Sequence, residues 1–239
     1  VGTVGPAGGQ LQTPDGSVSL VFPPGAVSGD VTITVEAVDT PVEGPNLVTE
    51  SVYQFGPSGT QFSQPVDLSL RFDPNTLPGN REAAAATISK LIDGSWQQIE
   101  GDFEVSSTGV VTGQISSFSQ AGVSVDPCWP SRVEAGYVSS DASWAPTDCV
   151  YTDSEGGETY EDLYEVTLSE PSAIDLVATA GSGVPIIAGW TSDVEGPGTG
   201  TVLMYDRAGD GVSYRTLLAA GTYRIWVGRD DGASQGSYD

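Results

Sequence analysis

The tightest constraint on the fold is the brevity and even spacing of the apolar runs. The segment 30–38 reads DVTITVEAV, with Val31, Ile33, Val35 and Ala37 on one face and Thr32, Thr34 and Glu36 on the other. A period of two marks a strand with one face buried. Runs of the same kind recur at 17–22, 51–56, 65–72, 88–93, 96–101, 109–115 and 118–125, and again at 162–168, 172–180, 184–190, 201–206 and 221–228. Turn-forming clusters such as Asp73-Pro74-Asn75 and Asp93-Gly94 separate them. Only 81–88, REAAAATI, has the composition of a helix, and it is too short to stand alone. Short strands punctuated at this interval predict an all-β chain of stacked sheets, a β-sandwich.

Two sandwiches in tandem are expected, over 1–125 and 126–239. The boundary falls at 125–128, where strand-like alternation gives way to a polar stretch bearing Trp and Tyr. Charge does not divide the halves: 14 acids against 3 bases before residue 127 give −11, and 18 against 5 after it give −13. The total of −24 repels phosphate backbones and anionic lipid, which excludes nucleic acid as a partner. No apolar run approaches the roughly 20 residues of a membrane-spanning helix. The chain starts at Val1 with no signal-like segment and reads as a mature or trimmed fragment. Cys128 and Cys149 are the sole cysteines, and there is no histidine. That combination rules out a Cys/His zinc site. A Cys128–Cys149 disulfide is expected instead, contributing about 3 kcal/mol through the unfolded state. It places the protein in an oxidising compartment, outside the cell or on its surface.

The first half resembles a known family. GPAGGQLQTPDGSVSLVFPPGAV (5–27), YQFGPSGTQFSQPVDLSLRFDP (53–74) and SWQQIEG followed by GVVTGQISSFSQAGV (95–123) are similar to the ZU-type β-sandwich in its bacterial form. The resemblance makes Phe22, Tyr53, Phe55, Phe62, Phe72 and Trp96 core candidates, and Gly25 a turn residue after Pro23-Pro24. Some members of the family cleave themselves at His-Phe-Ser, the serine attacking the preceding carbonyl. The matching triplet here is Ser117-Phe118-Ser119. Serine stands where the base should be, and Lys90 is the single conceivable amine base. Phe118 and Ser119 are therefore the candidate self-cleavage pair. The alternative is an ordinary last strand with Phe118 inward and Ser119 outward.

The second half resembles the bacterial pre-peptidase C-terminal domain, a jelly-roll-like sandwich. The matching pieces are Tyr160, Asp162 and Tyr164, the segment Ala220-Gly221-Thr222-Tyr223 read as the start of a hairpin, and Gly236-Ser237-Tyr238. In the family a further strand follows the last of these. Here the resemblance implies a missing or exposed final strand and an open sheet edge, at which copies could assemble into a homo-oligomer or polymer by strand addition. Glu158, Glu161 and Asp162, with Asp206 and Asp210 in YDRAGDG, are candidate ligands for calcium, which takes six to eight oxygens. No other cofactor is expected. Trp129, Tyr137, Trp144 and Tyr151 suit packing beneath the disulfide loop or stacking on a partner.

These readings favour a non-catalytic, secreted or cell-surface structural or adhesive protein of bacterial type. It would serve as a self-assembling subunit of a filament or surface layer. The alternatives are accessory modules of a secreted hydrolase, and the self-cleaving domain. Glycoside cleavage by paired carboxylates has no marked pair to carry it.

Overall fold

Every alternating run of the first half becomes a strand. The structure, a computed structural model, describes residues 1–44, 46–134, 136, 142–144, 148–152, 158–179, 186–192, 202–206, 211–229 and 236–238. The chain divides into two units, Val1–Asp126 and Pro127–Asp239.

The first unit contains β1 (Gly2–Val4), β2 (Gly9–Gln12), β3 (Val18–Phe22), β4 (Val31–Ala37), β5 (Tyr53–Gly56), β6 (Gln61–Arg71), β7 (Ala86–Ile92), β8 (Ser95–Gln98), β9 (Glu104–Ser106), β10 (Val110–Ser117) and β11 (Gln120–Val125). They form two sheets, in the orders β1-β4-β5-β11-β7-β8 and β2-β3-β6-β10-β9. Period-two patterning fills the space between them. Val18, Leu20 and Phe22 face inward from β3, and Val66, Leu68 and Leu70 from β6. Register aligns these rows, with Val18 opposite Leu70 and Leu20 opposite Leu68. Ile33, Phe55, Ile88, Ala121 and Val123 come from the other sheet. Of the aromatic residues expected in the core, Phe22, Phe55 and Phe72 are buried, while Tyr53, Phe62 and Trp96 are half-buried. Gly25 takes φ +85°, as a turn after Pro23-Pro24 requires. Asp93 and Gly94 both adopt positive φ, giving the tight two-residue reversal between β7 and β8.

The helical expectation at 81–88 fails. Ala83–Ala85 makes one 3₁₀ turn, and from Ala86 the chain is β7. This strand lies between β11 and β8 and is buried through Lys90, so the run shows no alternation. Burial on both faces overrides alanine's helix propensity. The hydroxyls that this burial strands are closed locally: Thr87 Oγ1 and Ser89 Oγ lie 2.9 and 2.7 Å from Ser124 Oγ.

The second unit contains β12 (Ser131–Val133), β13 (Ala142–Trp144), β14 (Cys149–Thr152), β15 (Glu158–Leu168), β16 (Ser172–Ala178), β17 (Ile186–Ser192), β18 (Val202–Asp206), β19 (Val212–Leu218), β20 (Gly221–Arg229) and β21 (Gly236–Tyr238). The large sheet runs β12-β15-β20-β17-β18, with β14 also on β15. A separate antiparallel ribbon pairs β16 with β19. Val166, Leu168, Trp190, Leu218 and Tyr223 form one core cluster, and Ala178, Ile186, Ala188, Val212 and Val227 another.

Two expectations change here. Ala220–Tyr223 does not begin a hairpin: β20 pairs with β15 and β17, whereas β19 pairs with β16. The chain crosses from ribbon to sheet at this point, and the Tyr223 hydroxyl donates to the Ala219 carbonyl across the crossing, 2.9 Å away. Gly236–Tyr238 is itself a short strand, paired antiparallel with Ala142–Trp144. Among the described residues, β21 pairs on one side only, as do β13, β16, β18 and β19.

Candidate functional site

The triplet Ser117-Phe118-Ser119 is where the chain leaves one sheet for the other. Ser117 ends β10 and Gln120 begins β11, so Phe118 and Ser119 are a two-residue crossover rather than part of a last strand. Phe118 points inward, as expected, and is 2% exposed. Its ring stacks on Phe55 at 5.6 Å and meets the edges of Phe62 and Phe22 at 4.8 and 6.4 Å. Aromatic packing of this kind adds to the area buried.

The scissile bond of a self-cleaving reaction would be Phe118–Ser119. Backbone bonds hold it on both sides. Phe118 N–H donates to the Thr60 carbonyl, its own carbonyl accepts from Gly59 N–H at 2.9 Å, and the Ser119 carbonyl accepts from Phe55 N–H. The Ser119 hydroxyl donates forward to the Gln120 carbonyl at 2.9 Å. Lys90 lies close by but serves a different residue. Its Nζ donates to the Ser117 carbonyl at 2.7 Å and to Ser117 Oγ at 2.8 Å. The side chain is 6% exposed, and burial holds its pKa below the ordinary lysine value. A candidate base has to reach the proton it removes. Here the amine is bonded at 117 and the hydroxyl points to 120. Sequence reading identified Lys90 but not its partner, because the pairing depends on how β7 and β10 face each other across the sandwich.

Of the five candidate cation ligands, the side chains of Glu161 and Asp162 are described. Glu161 and Asp162 are neighbours in β15, so their side chains leave on opposite faces. The Glu161 carboxyl has its pKa pushed up to about 7 by burial. Glu158 and Asp206 lie in β15 and β18, but their side chains are outside the described residues, as is Asp210. Among the described residues no three acids, cysteines or histidines gather into a cation site. Of the aromatic residues near the cysteines, Trp129 is half-buried, and the side chains of Tyr137, Trp144 and Tyr151 are not described.

Cys128 and Cys149 form the expected disulfide, with Cα atoms 4.6 Å apart. Cys128 is exposed and Cys149 half-buried.

Among the described residues, two of the most exposed large apolar side chains lie on the outer face of the β16–β19 ribbon. Leu217 is 69% exposed opposite Ala173, and Val177 is 56% exposed opposite Ser213. Between these pairs the Arg215 guanidinium grips the Asp175 carboxylate with two nitrogens, Nη2 at 2.7 Å from Oδ2. Sequence reading missed β19. Its segment VSYRTLL alternates, but with Tyr and Thr on the inward rows and Leu217 on the outward row, so the hydrophobic signal is blurred.

Comparison with known proteins gives one family match and two structural likenesses. Residues 1–87 match the ZU5 domain family. The match ends before the 117–119 triplet. Among solved structures, the chain is similar to the pre-peptidase C-terminal domain of collagenase from Bacillus anthracis. Identity is 14% and the TM-score 0.30, covering 45% of this chain and 88% of that one. It is also similar to isomalto-dextranase from Arthrobacter globiformis T6 complexed with panose. There identity is 12% and the TM-score 0.22, covering 79% of this chain and 35% of that one. No curated protein matches the chain.

Proposed function

We propose that the chain is a non-catalytic structural or adhesive piece of a secreted or cell-surface protein of bacterial type, and that copies associate through the β16 edge. The observation that carries this reading is the ribbon itself. Among the described residues β16 pairs on one side only, Val177 and Ala173 lie on its outer face, and Leu217 adds apolar area on the same face. An exposed strand edge with apolar side chains is a template for another strand. The disulfide supports export, because such bonds persist in oxidising compartments. The bonded state of Ser117, Phe118 and Ser119 supports an inert crossover.

Two measurements test the reading. Light scattering across a concentration series is expected to show oligomers that grow with salt, since −24 per copy opposes association until it is screened. Val177→Lys together with Leu217→Lys is expected to leave a monomer that unfolds like the parent. A parent that stays monomeric at high concentration and high salt defeats the assembly reading. Intact-mass spectrometry is expected to show a single full-length species. Fragments ending at Phe118 would overturn the inert crossover.

A further inference from the structure

We infer that the Cys128–Cys149 disulfide is a reducible clasp holding closed one edge of β15. The eleven-residue strand β15 is paired along one edge by β20, from Glu161 to Leu168. Among the described residues, no single strand covers its other edge. β14 runs antiparallel to Glu158–Glu161, and β12 runs parallel to Tyr164–Val166. The two covers are four and three residues long and leave a gap at Asp162 and Leu163. The residues bordering that gap are Cys149, opposite Glu161, and Ser131, opposite Tyr164. Cys128 precedes Ser131 by three positions. The disulfide therefore joins the facing ends of the two covers and makes one interrupted edge strand from two fragments.

Each fragment makes only a short ladder. A three- or four-residue edge strand makes few ladder bonds, and β12 is the parallel partner in an otherwise antiparallel sheet. Beyond the ladder, Val133 packs against the core and Arg132 pairs with Glu165, whose side chain is 17% exposed. The bond adds a covalent closure to the 21-residue separation of the cysteines, within which β13 is paired with β21.

Exposure places the Cys128 sulfur within reach of a dithiol reductant. One reductant thiolate attacks that sulfur and Cys149 leaves as a thiolate. The second reductant thiolate then displaces Cys128. The protein disulfide gains two electrons and two protons, giving two thiols, and the reductant becomes a disulfide. The covers then separate, and β15 presents unpaired backbone groups from 158 to 166. This device is independent of association at β16, which operates with the bond intact.

The experiment is residue-resolved hydrogen exchange on the full chain, oxidised and after dithiothreitol, with a Cys128→Ser/Cys149→Ser variant in parallel. Amides of β14 and those of β15 facing the covers are expected to exchange about 100-fold faster in both the reduced protein and the variant, the factor that closing a loop of this size supplies. Amides joining β17 to β20 are expected to keep their protection, and reoxidation is expected to restore the parent pattern. Unchanged protection at the edge would overturn the inference. So would equal loss of protection in β17 and β20, which would make the bond a prop for the whole unit.

Discussion

Trp190 concentrates two opposed effects in one side chain. It is 4% exposed, and its ring lies 4.7 Å from that of Tyr214. Val166, Ile174, Leu176, Leu218 and Ile225 line the same pocket. The ring therefore contributes a large buried area, but its indole N–H finds no acceptor among the described residues. An unsatisfied buried donor costs about 1–3 kcal/mol. Trp190→Phe removes the donor and keeps most of the ring, so its stability is expected within about 1 kcal/mol of the parent by denaturant unfolding. Trp190→Ala, which also empties the site, is expected to cost about 3–5 kcal/mol. A phenylalanine variant as damaging as the alanine one would mean the N–H is satisfied after all. Lys90 shows the complementary arrangement. Its amine is buried but bonded twice at Ser117, so its charge is held rather than orphaned.

At the scale of elements, the sequence was legible wherever one face of a strand meets the core and the other meets water. β3, β4 and β6 declare themselves through the rows Val18-Leu20-Phe22, Val31-Ile33-Val35 and Val66-Leu68-Leu70. β7 was obscured at its start because both its faces are covered and alternation disappears. β19 was obscured because its outward row carries a leucine. The pairing of β12 and β14 on one edge of β15 has no local signature at all, since nothing within a three-residue strand states which neighbour it will join. Within the candidate site, the inward Phe118 and the Cys128–Cys149 pair were readable. The Lys90–Ser117 contact and the crossover geometry depend on the other sheet and were not. One further element carries a pH-dependent term. Cys149 and Gly228 flank Glu161 across β15, and burial raises its carboxyl from 4.5 to about 7. The folded state thus holds a proton that the unfolded chain releases near pH 4.5. Stability from this group is fully present below that pH and is lost as pH rises through about 7. Water reaches the half-exposed carboxyl, so the change is expected at roughly 1 kcal/mol rather than the full shift. Thermal unfolding between pH 4.5 and 8 should show it, and Glu161→Gln should flatten the profile. An unchanged profile in that variant would assign the slope to other acids.

At the scale of the whole molecule, the dominant quantity is 32 acids against 8 bases. Both units share it, at −11 and −13, so each must fold against its own repulsion. Raising ionic strength from 0.01 to 0.15 M shortens the screening length from about 30 to about 8 Å. Sodium chloride over that range is therefore expected to raise the unfolding temperature by a few degrees, corresponding to about 1 kcal/mol. Calcium discriminates between diffuse and localised charge. Diffuse charge responds mainly to ionic strength, and among the described residues no three acids converge. Calcium chloride at matched ionic strength should then add little beyond sodium chloride. A site built by Glu158, Asp206 or Asp210 would behave differently, because a bound ion stabilises the folded state by mass action and the gain keeps growing with concentration above the dissociation constant. A calcium-specific rise that chelator reverses, and that Asp206→Asn with Asp210→Asn abolishes, would locate the ion on the β18–β19 connection. A rise that follows ionic strength alone would assign the acidity to solubility and to mutual repulsion between copies, the same repulsion that salt must screen before the β16 edges can meet.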